Sequence, residues 1–224
     1  MKPAALFLFV VLFGMAPLSN LHAVSFGQVD NFQDGTTNNW TNGHPATGTP
    51  PVNISTGGPA GAGDRFLEVT ATGGSSDGKL TTFNRTQWLG NYIAAGVTQI
   101  DMDLENLSGI TLSIRLAFRQ NLFIGASGYL STSAFTLAPN SGWQHASFLI
   151  NSSSLTAIGG PNAFDTFFSA PAEFRIVNEA GATNLEGDTV TAQLGIDNII
   201  AVPEPSVLAL CAFAAAGLCW RRVR

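Results

Sequence analysis

The sequence predicts an all-β fold, two antiparallel sheets packed as a β-sandwich. Three observations point there. Apolar and polar residues alternate with a period of two through most of residues 24–201. Glycine is frequent, 24 of 224 residues, and it gathers between the alternating runs, where chains turn. No strand–helix–strand rhythm appears, so a parallel sheet is not expected. A body of about 180 residues fits one such domain.

The elements follow in order. A first strand is expected within 24–33. Residues 34–63 are rich in Gly, Pro, Thr and Asn and read as a long loop. Loops beyond about 15 residues are usually functional or disordered. Residues 65–70 and 79–83 are short strands separated by a Gly/Ser turn over 73–78. Residues 98–105 alternate with Ile100, Met102 and Leu104 on one face. Residues 111–119 do so with Leu112, Ile114, Leu116 and Phe118. Strands over 129–137, 142–150, 172–178 and 189–202 complete a set of about nine. Only 86–95 and 152–168 leave room for a short helix.

Asp101, Asp103 and Glu105 share one face of their strand, about 6–7 Å apart in succession. Glycosidases work with two carboxyl groups at comparable separation. Cross-strand pairing offers a structural account. A three-residue loop, Leu107-Ser108-Gly109, would join 98–105 to 111–119 as a hairpin. Glu105 would then face Thr111, Asp103 would face Ser113 and Asp101 would face Arg115. The carboxylates would share a polar face with Arg115 and Arg119.

Composition narrows the chemistry. Charged residues are 11% and the net charge is −5. Residues 24–201 hold fourteen acidic side chains against six basic ones, near −8. That balance argues against a phosphate-binding surface, so no nucleic-acid partner is expected. Both cysteines, Cys211 and Cys219, lie near the end, so no disulfide braces the body. His44 and His145 are its only histidines. There is no Gly-x-Ser-x-Gly, no zinc-ligand spacing and no phosphate loop.

The two ends read as addresses. Lys2 precedes an apolar run over 4–15, then Pro17 and Leu21-His22-Ala23, so residues 1–23 read as a secretory signal peptide. At the other end, Pro203, Glu204 and Pro205 precede an apolar stretch over 207–220, then Arg221, Arg222 and Arg224. Fourteen helical residues reach about 21 Å, a short span that snorkelling arginines can hold. The arginines stay cytoplasmic, so the body lies outside. This tripartite pattern over 202–224 closely resembles the PEP-CTERM sorting signal. The resemblance implies an exopolysaccharide-producing Gram-negative bacterium, transient anchoring in the inner membrane by a single transmembrane sorting helix, and processing near the Pro-Glu-Pro triplet by an exosortase.

The body resembles the jelly-roll domains of carbohydrate-binding modules in three places. These are Val29-Asp30-Asn31-Phe32-Gln33-Asp34-Gly35 followed by Trp40, Ser141-Gly142-Trp143-Gln144, and Gly195-Ile196-Asp197-Asn198-Ile199. In that last strand the family often carries an Asp that ligates a structural calcium. Asp30, Asp34 and Asp197 are the metal candidates here, against a plain role as turn and strand-end residues. Trp40, Trp88 and Trp143 are candidate sugar platforms, against packing in the core. Trp143 alternates with His145 and Ser147, opposite Ala146, Phe148 and Ile150, which favours partial exposure.

The expected protein is exported to the cell envelope, cell surface or extracellular matrix, and is structural or carbohydrate-interacting rather than enzymatic. Its expected partners are a processing exosortase, a polysaccharide and, through 207–220, the membrane. The alternative is a polysaccharide-cleaving hydrolase using Asp101, Asp103 and Glu105.

Overall fold

The fold is seen in a computed structural model, which describes residues 23–42, 49–74, 78–120 and 127–203. The apolar runs and charged ends at 1–22 and 204–224 lie outside the described residues, as does His44.

Among the described residues, twelve strands form two six-stranded antiparallel sheets, accompanied by one short helix. The first sheet holds β1 (Val29–Asp30), β2 (Val52–Ile54), β3 (Phe66–Thr72), β5 (Val97–Asn106), β9 (Gln144–Leu149) and β12 (Thr191–Pro203). Its order is β2-β3-β12-β5-β9, with β1 also paired to β12. The second sheet holds β4 (Thr81–Asn84), β6 (Leu112–Arg119), β7 (Gly128–Ser131), β8 (Phe135–Leu137), β10 (Leu155–Ile158) and β11 (Glu173–Asn178). Its order is β10-β7-β6-β11-β4, with β8 also on β6. The helix α1 (Phe164–Phe168) buries Phe167 and Phe168.

The sandwich is therefore as expected, and so are the core faces. Ile100, Met102 and Leu104 of β5 meet Leu112, Ile114, Leu116 and Phe118 of β6 in one buried cluster. Period-2 alternation dictates this: with one face in the core, the other must be polar. An aromatic group extends that core. Phe118 stacks on Phe174 at 5.6 Å, and Trp40, Trp88, Tyr92 and Phe168 pack around them.

The expected hairpin does not form. β5 and β6 are consecutive but lie in opposite sheets. The loop 107–111 crosses from one sheet to the other instead of turning within one. Asp101 faces Ser147 and Ile200, Asp103 faces His145 and Asp197, and Glu105 faces Gly195. Arg115 lies buried on the second sheet, donating to the carbonyls of Glu179, Ser131 and Thr132. Loop length alone misled here, since the same three residues serve an inter-sheet crossing.

Three smaller differences have similar causes. The run 129–137 divides at 132–134 into β7 and β8, which pair successive stretches of β6. The strand β10 takes the first part of 152–168, the region with room for a short helix, which α1 fills at its end, and β2 lies in the long loop; both strands are three or four residues long at sheet edges. β12 continues to Pro203, beyond residue 201, and pairs it with Val97.

The outer face of the second sheet is covered by the chain itself. Leu185, in the connection from β11 to β12, is fully buried against Ala117, Leu130 and Val177. Beside this plug, Glu173 is bound by Arg85 and Arg175, and Glu186 by Arg119 and Arg175. The guanidinium groups of Arg85 and Arg175 both lie over the Phe83 ring, 4.4 and 4.9 Å from its centre.

Candidate functional site

The outer face of the first sheet is where polar side chains and a half-exposed aromatic gather. Trp143 precedes β9 and reaches across β5 to β12. Its ring stands nearly perpendicular to that of Phe66, centres 5.2 Å apart, and its Nε1 donates to the Gly57 carbonyl at 2.8 Å. Beneath it lies Gly195. A Cβ there would stand 3.0 Å from Trp143 Cη2, so the ring sits closer to the strand than a side chain at 195 would allow without a small shift. Trp143 is half-buried, held by Phe66, by its Nε1 and by the strand below.

Polar groups surround it. Glu105 and Glu68 flank Gly195 on the two neighbouring strands. Gln193 Nε2 donates to Glu68 Oε1 at 3.2 Å. One strand-step away, Asp103 Oδ1 meets His145 Nδ1 at 3.0 Å, and Asp103 Oδ2 accepts from Asn198 Nδ2 at 2.8 Å. The His145 side chain is 61% exposed. Partial burial raises the Glu105 carboxyl above its ordinary range. The arrangement offers an aromatic ring with acceptors and donors at its rim, which is the equipment for holding a polyhydroxylated ligand.

Asp101, Asp103 and Glu105 do share this face, as the sequence predicts. Their partners differ from the expected arginines: Gln99 Nε2 donates to Asp101, and His145 and Asn198 engage Asp103. Trp40 and Trp88 are not platforms. Both are buried, and both indole N–H groups donate to Asp30 Oδ2 at 2.7 Å. They lie outside strands, so no alternation marked their facing in the sequence.

The three aspartates considered as metal ligands occupy three different settings. Asp30 is buried at the start of the sandwich, accepting from Trp40, Trp88 and, at 3.1 Å, Gln87. Burial pushes its pKa up and these donors pull it back. Asp34 is exposed and closes a local turn by accepting from the Thr36 backbone N–H at 2.8 Å. Asp197 is fully buried at a β-bulge, where the register of β12 on β5 slips between Asp197 and Ile200. The bulge is made by Asn198 at φ 50°. Its N–H donates to Asp197 Oδ1 at 2.8 Å, and Asp197 Oδ2 has no hydrogen-bond partner. Burial, with Asp64 and Asp103 nearby, pushes this carboxyl up to about 7. Among the described residues, no three His, Cys, Asp or Glu side chains converge as a metal-holding group.

Sequence reasoning missed Asp64 and Gln33. Gln33 Nε2 donates to Asp64 Oδ1 at 2.7 Å and to the carbonyls of Asn31 at 3.0 Å and Arg65 at 3.1 Å. Asp64 Oδ2 accepts from the Ala60 N–H at 2.7 Å. These contacts tie the segment after β1 to the approach to β3, a pairing that no local pattern in the sequence marks.

No protein-family model matches the chain. No curated protein matches it either. Solved structures resemble it in fold. An exo-beta-agarase superposes with a TM-score of 0.51 at 11% identity, over 81% of this chain and 26% of that one. A family 11 carbohydrate-binding module from Clostridium thermocellum, in complex with a beta-1,3-1,4-mixed-linked tetrasaccharide, gives 0.47 at 15% identity, over 81% and 97%. The CBM22-2 xylan-binding domain of Paenibacillus barcinonensis Xyn10C gives 0.42 at 11% identity, over 78% and 99%. At these identities the likeness is one of β-sandwich fold.

Proposed function

We propose that this protein is an exported, non-catalytic β-sandwich that binds a polysaccharide through the outer face of its first sheet. The observation that carries the reading is Trp143, seated on Gly195 and ringed by Glu68, Glu105, Gln193 and the Asp103–His145 pair. A half-buried indole with fixed orientation costs little entropy to use as a stacking surface. The net negative body favours a neutral polymer, because acidic chains would be repelled. The sandwich likeness to a module in complex with a beta-1,3-1,4-mixed-linked tetrasaccharide and to a xylan-binding domain supplies the polymers to try.

Affinity electrophoresis against mixed-linked β-glucan, xylan and agarose tests this. Retardation by one of them is expected, with Trp143→Ala weakening it at least tenfold, about 1.4 kcal/mol. Equal retardation of the variant, or none with any neutral polymer, overturns the reading. In the same assay no reducing ends should be released. Release that disappears in Asp103→Asn would establish the hydrolase instead.

Export and processing belong to the same proposal. The mature chain begins near Val24 and is cut at or near Pro203–Pro205 by an exosortase-type enzyme. The apolar runs and the Pro-Glu-Pro, apolar, arginine order support it. A structural calcium, as the resemblance implies, would take as a ligand Asp197, whose Oδ2 is orphaned. Asp30 is consumed by its two indoles and does not contribute.

A further inference from the structure

We propose that the end of the sandwich where β12 stops is a lipid-facing surface, with Phe26, Val29, Ile93 and Leu149 in contact with the bilayer interface. The inference rests on the reading that residues 207–220 enter a membrane, and adds which part of the folded body meets it.

Placement comes first. Among the described residues the exposed large apolar side chains are Phe26, Val29, Val52, Ile93, Ile110 and Leu149. Four of these surround the end of β12. Gly27, after Phe26, donates its N–H to the Ala201 carbonyl at 2.7 Å. Val29 faces Ile200. Leu149 faces Gln99, which faces Val202 on its other side. Ile93 sits in the turn before β5, where Gly96 N–H donates to the Ile93 carbonyl and Val97 pairs with Pro203. Phe26 is 66% exposed and Leu149 50%, and it is their gathering at one strand end, not exposure alone, that sets them apart.

Reach comes second. Pro203 is still paired within the sheet, and the apolar stretch starts at Val207. Only Glu204, Pro205 and Ser206 intervene. Three residues extend about 10 Å at most. A body tied that closely to an inserted segment cannot stand clear of the headgroups. The surface it turns to them is this one, because it is where the chain leaves.

Charge decides the lipid. Asp101 lies in the row between Ser147 and Ile200, and Asp165 lines the shallow apolar cleft beside Ile93. The contacts named at this surface carry no cation, so a zwitterionic headgroup suits it and attraction to anionic lipid is not the driving force.

The test uses the full chain in phosphatidylcholine vesicles, with Cys211→Ala and Cys219→Ala as background. A single polarity-sensitive dye is placed at Ile93→Cys, at Phe26→Cys or, as the far-end control, at Ile110→Cys. All three sites are exposed, so labelling leaves the core intact. Nitroxide on the lipid headgroup should quench the Ile93 and Phe26 dyes at least threefold more than the Ile110 dye. If the chain floats with the vesicles yet all three dyes are quenched equally, this inference fails and membrane insertion of the tail stands. If the chain does not float, both fail.

Discussion

Asp30 and Asp197 are the same side chain in opposite circumstances. Asp30 is buried but satisfied by two indole N–H groups and an amide. Removing it strands those donors in the core, at about 1–3 kcal/mol each. Asp30→Ala should therefore lower stability by roughly 3 kcal/mol in urea titration, and a change under about 1 kcal/mol would contradict the role assigned to it. Asp197 is buried and half-satisfied, and its carboxyl titrates near 7 in the fold against 3.8 ordinarily. The neutral acid is the form this site accommodates. Its contribution is thus full below about pH 3.8 and is lost as pH rises through 7. With metal chelated, the wild type should lose roughly 3 kcal/mol of stability between pH 5 and about 8, with a matching fall in melting temperature, and Asp197→Asn should flatten that slope. Calcium binds the ionised form, so it should restore wild-type stability at pH 8 and leave the Asn variant unmoved. The sequence held half of this. Acidic residues near the first and last strands were visible, but their settings depend on indoles from non-strand segments and on a bulge at Asn198, neither of which periodicity reports.

At the scale of elements, β12 and β9 cooperate through a missing side chain. Gly195 leaves the space that Trp143 fills, so Gly195→Val should dislodge the indole and match Trp143→Ala in its loss of polysaccharide affinity, read by affinity electrophoresis. Retained affinity would mean that the ring is not the platform. The connection from β11 to β12 has a different task. Leu185 seals the outer face of the second sheet, and Leu185→Ala should cost about 2–5 kcal/mol in a thermal or urea melt. Alternation correctly assigned which residues of β5 and β6 face the core, because one buried face fixes every second residue. It could not assign partners. A loop of the same length serves a hairpin or an inter-sheet crossing, and only the packing of Leu104 against the opposite sheet distinguishes them. Trp143 was legible for the same reason as the core: His145 and Ser147 share its side of the strand, while Ala146 and Phe148 take the other.

Across the whole molecule, the two sheets have unequal outer faces, one sealed by Leu185 and its ion-paired surroundings, the other open around Trp143. Intact-mass measurement of surface-extracted protein should find a chain starting near Val24 and ending near Pro203–Pro205; a species retaining both Met1 and Arg224 would contradict export and processing. Before that cut, the proposed polymer site lies partway along β12 and the anchor follows the strand's end. Gly195 and Pro203 are eight residues apart, about 26 Å of strand. A tug on the polymer therefore runs lengthwise along β12, between β3 and β1 on one flank and β5 on the other. Ladder hydrogen bonds lie across the strand, so such a load meets many of them at once, in shear, instead of opening them singly like a zip. Under the proposed anchoring and polymer binding, the central place of the last strand loads the domain in the direction in which its ladder resists most.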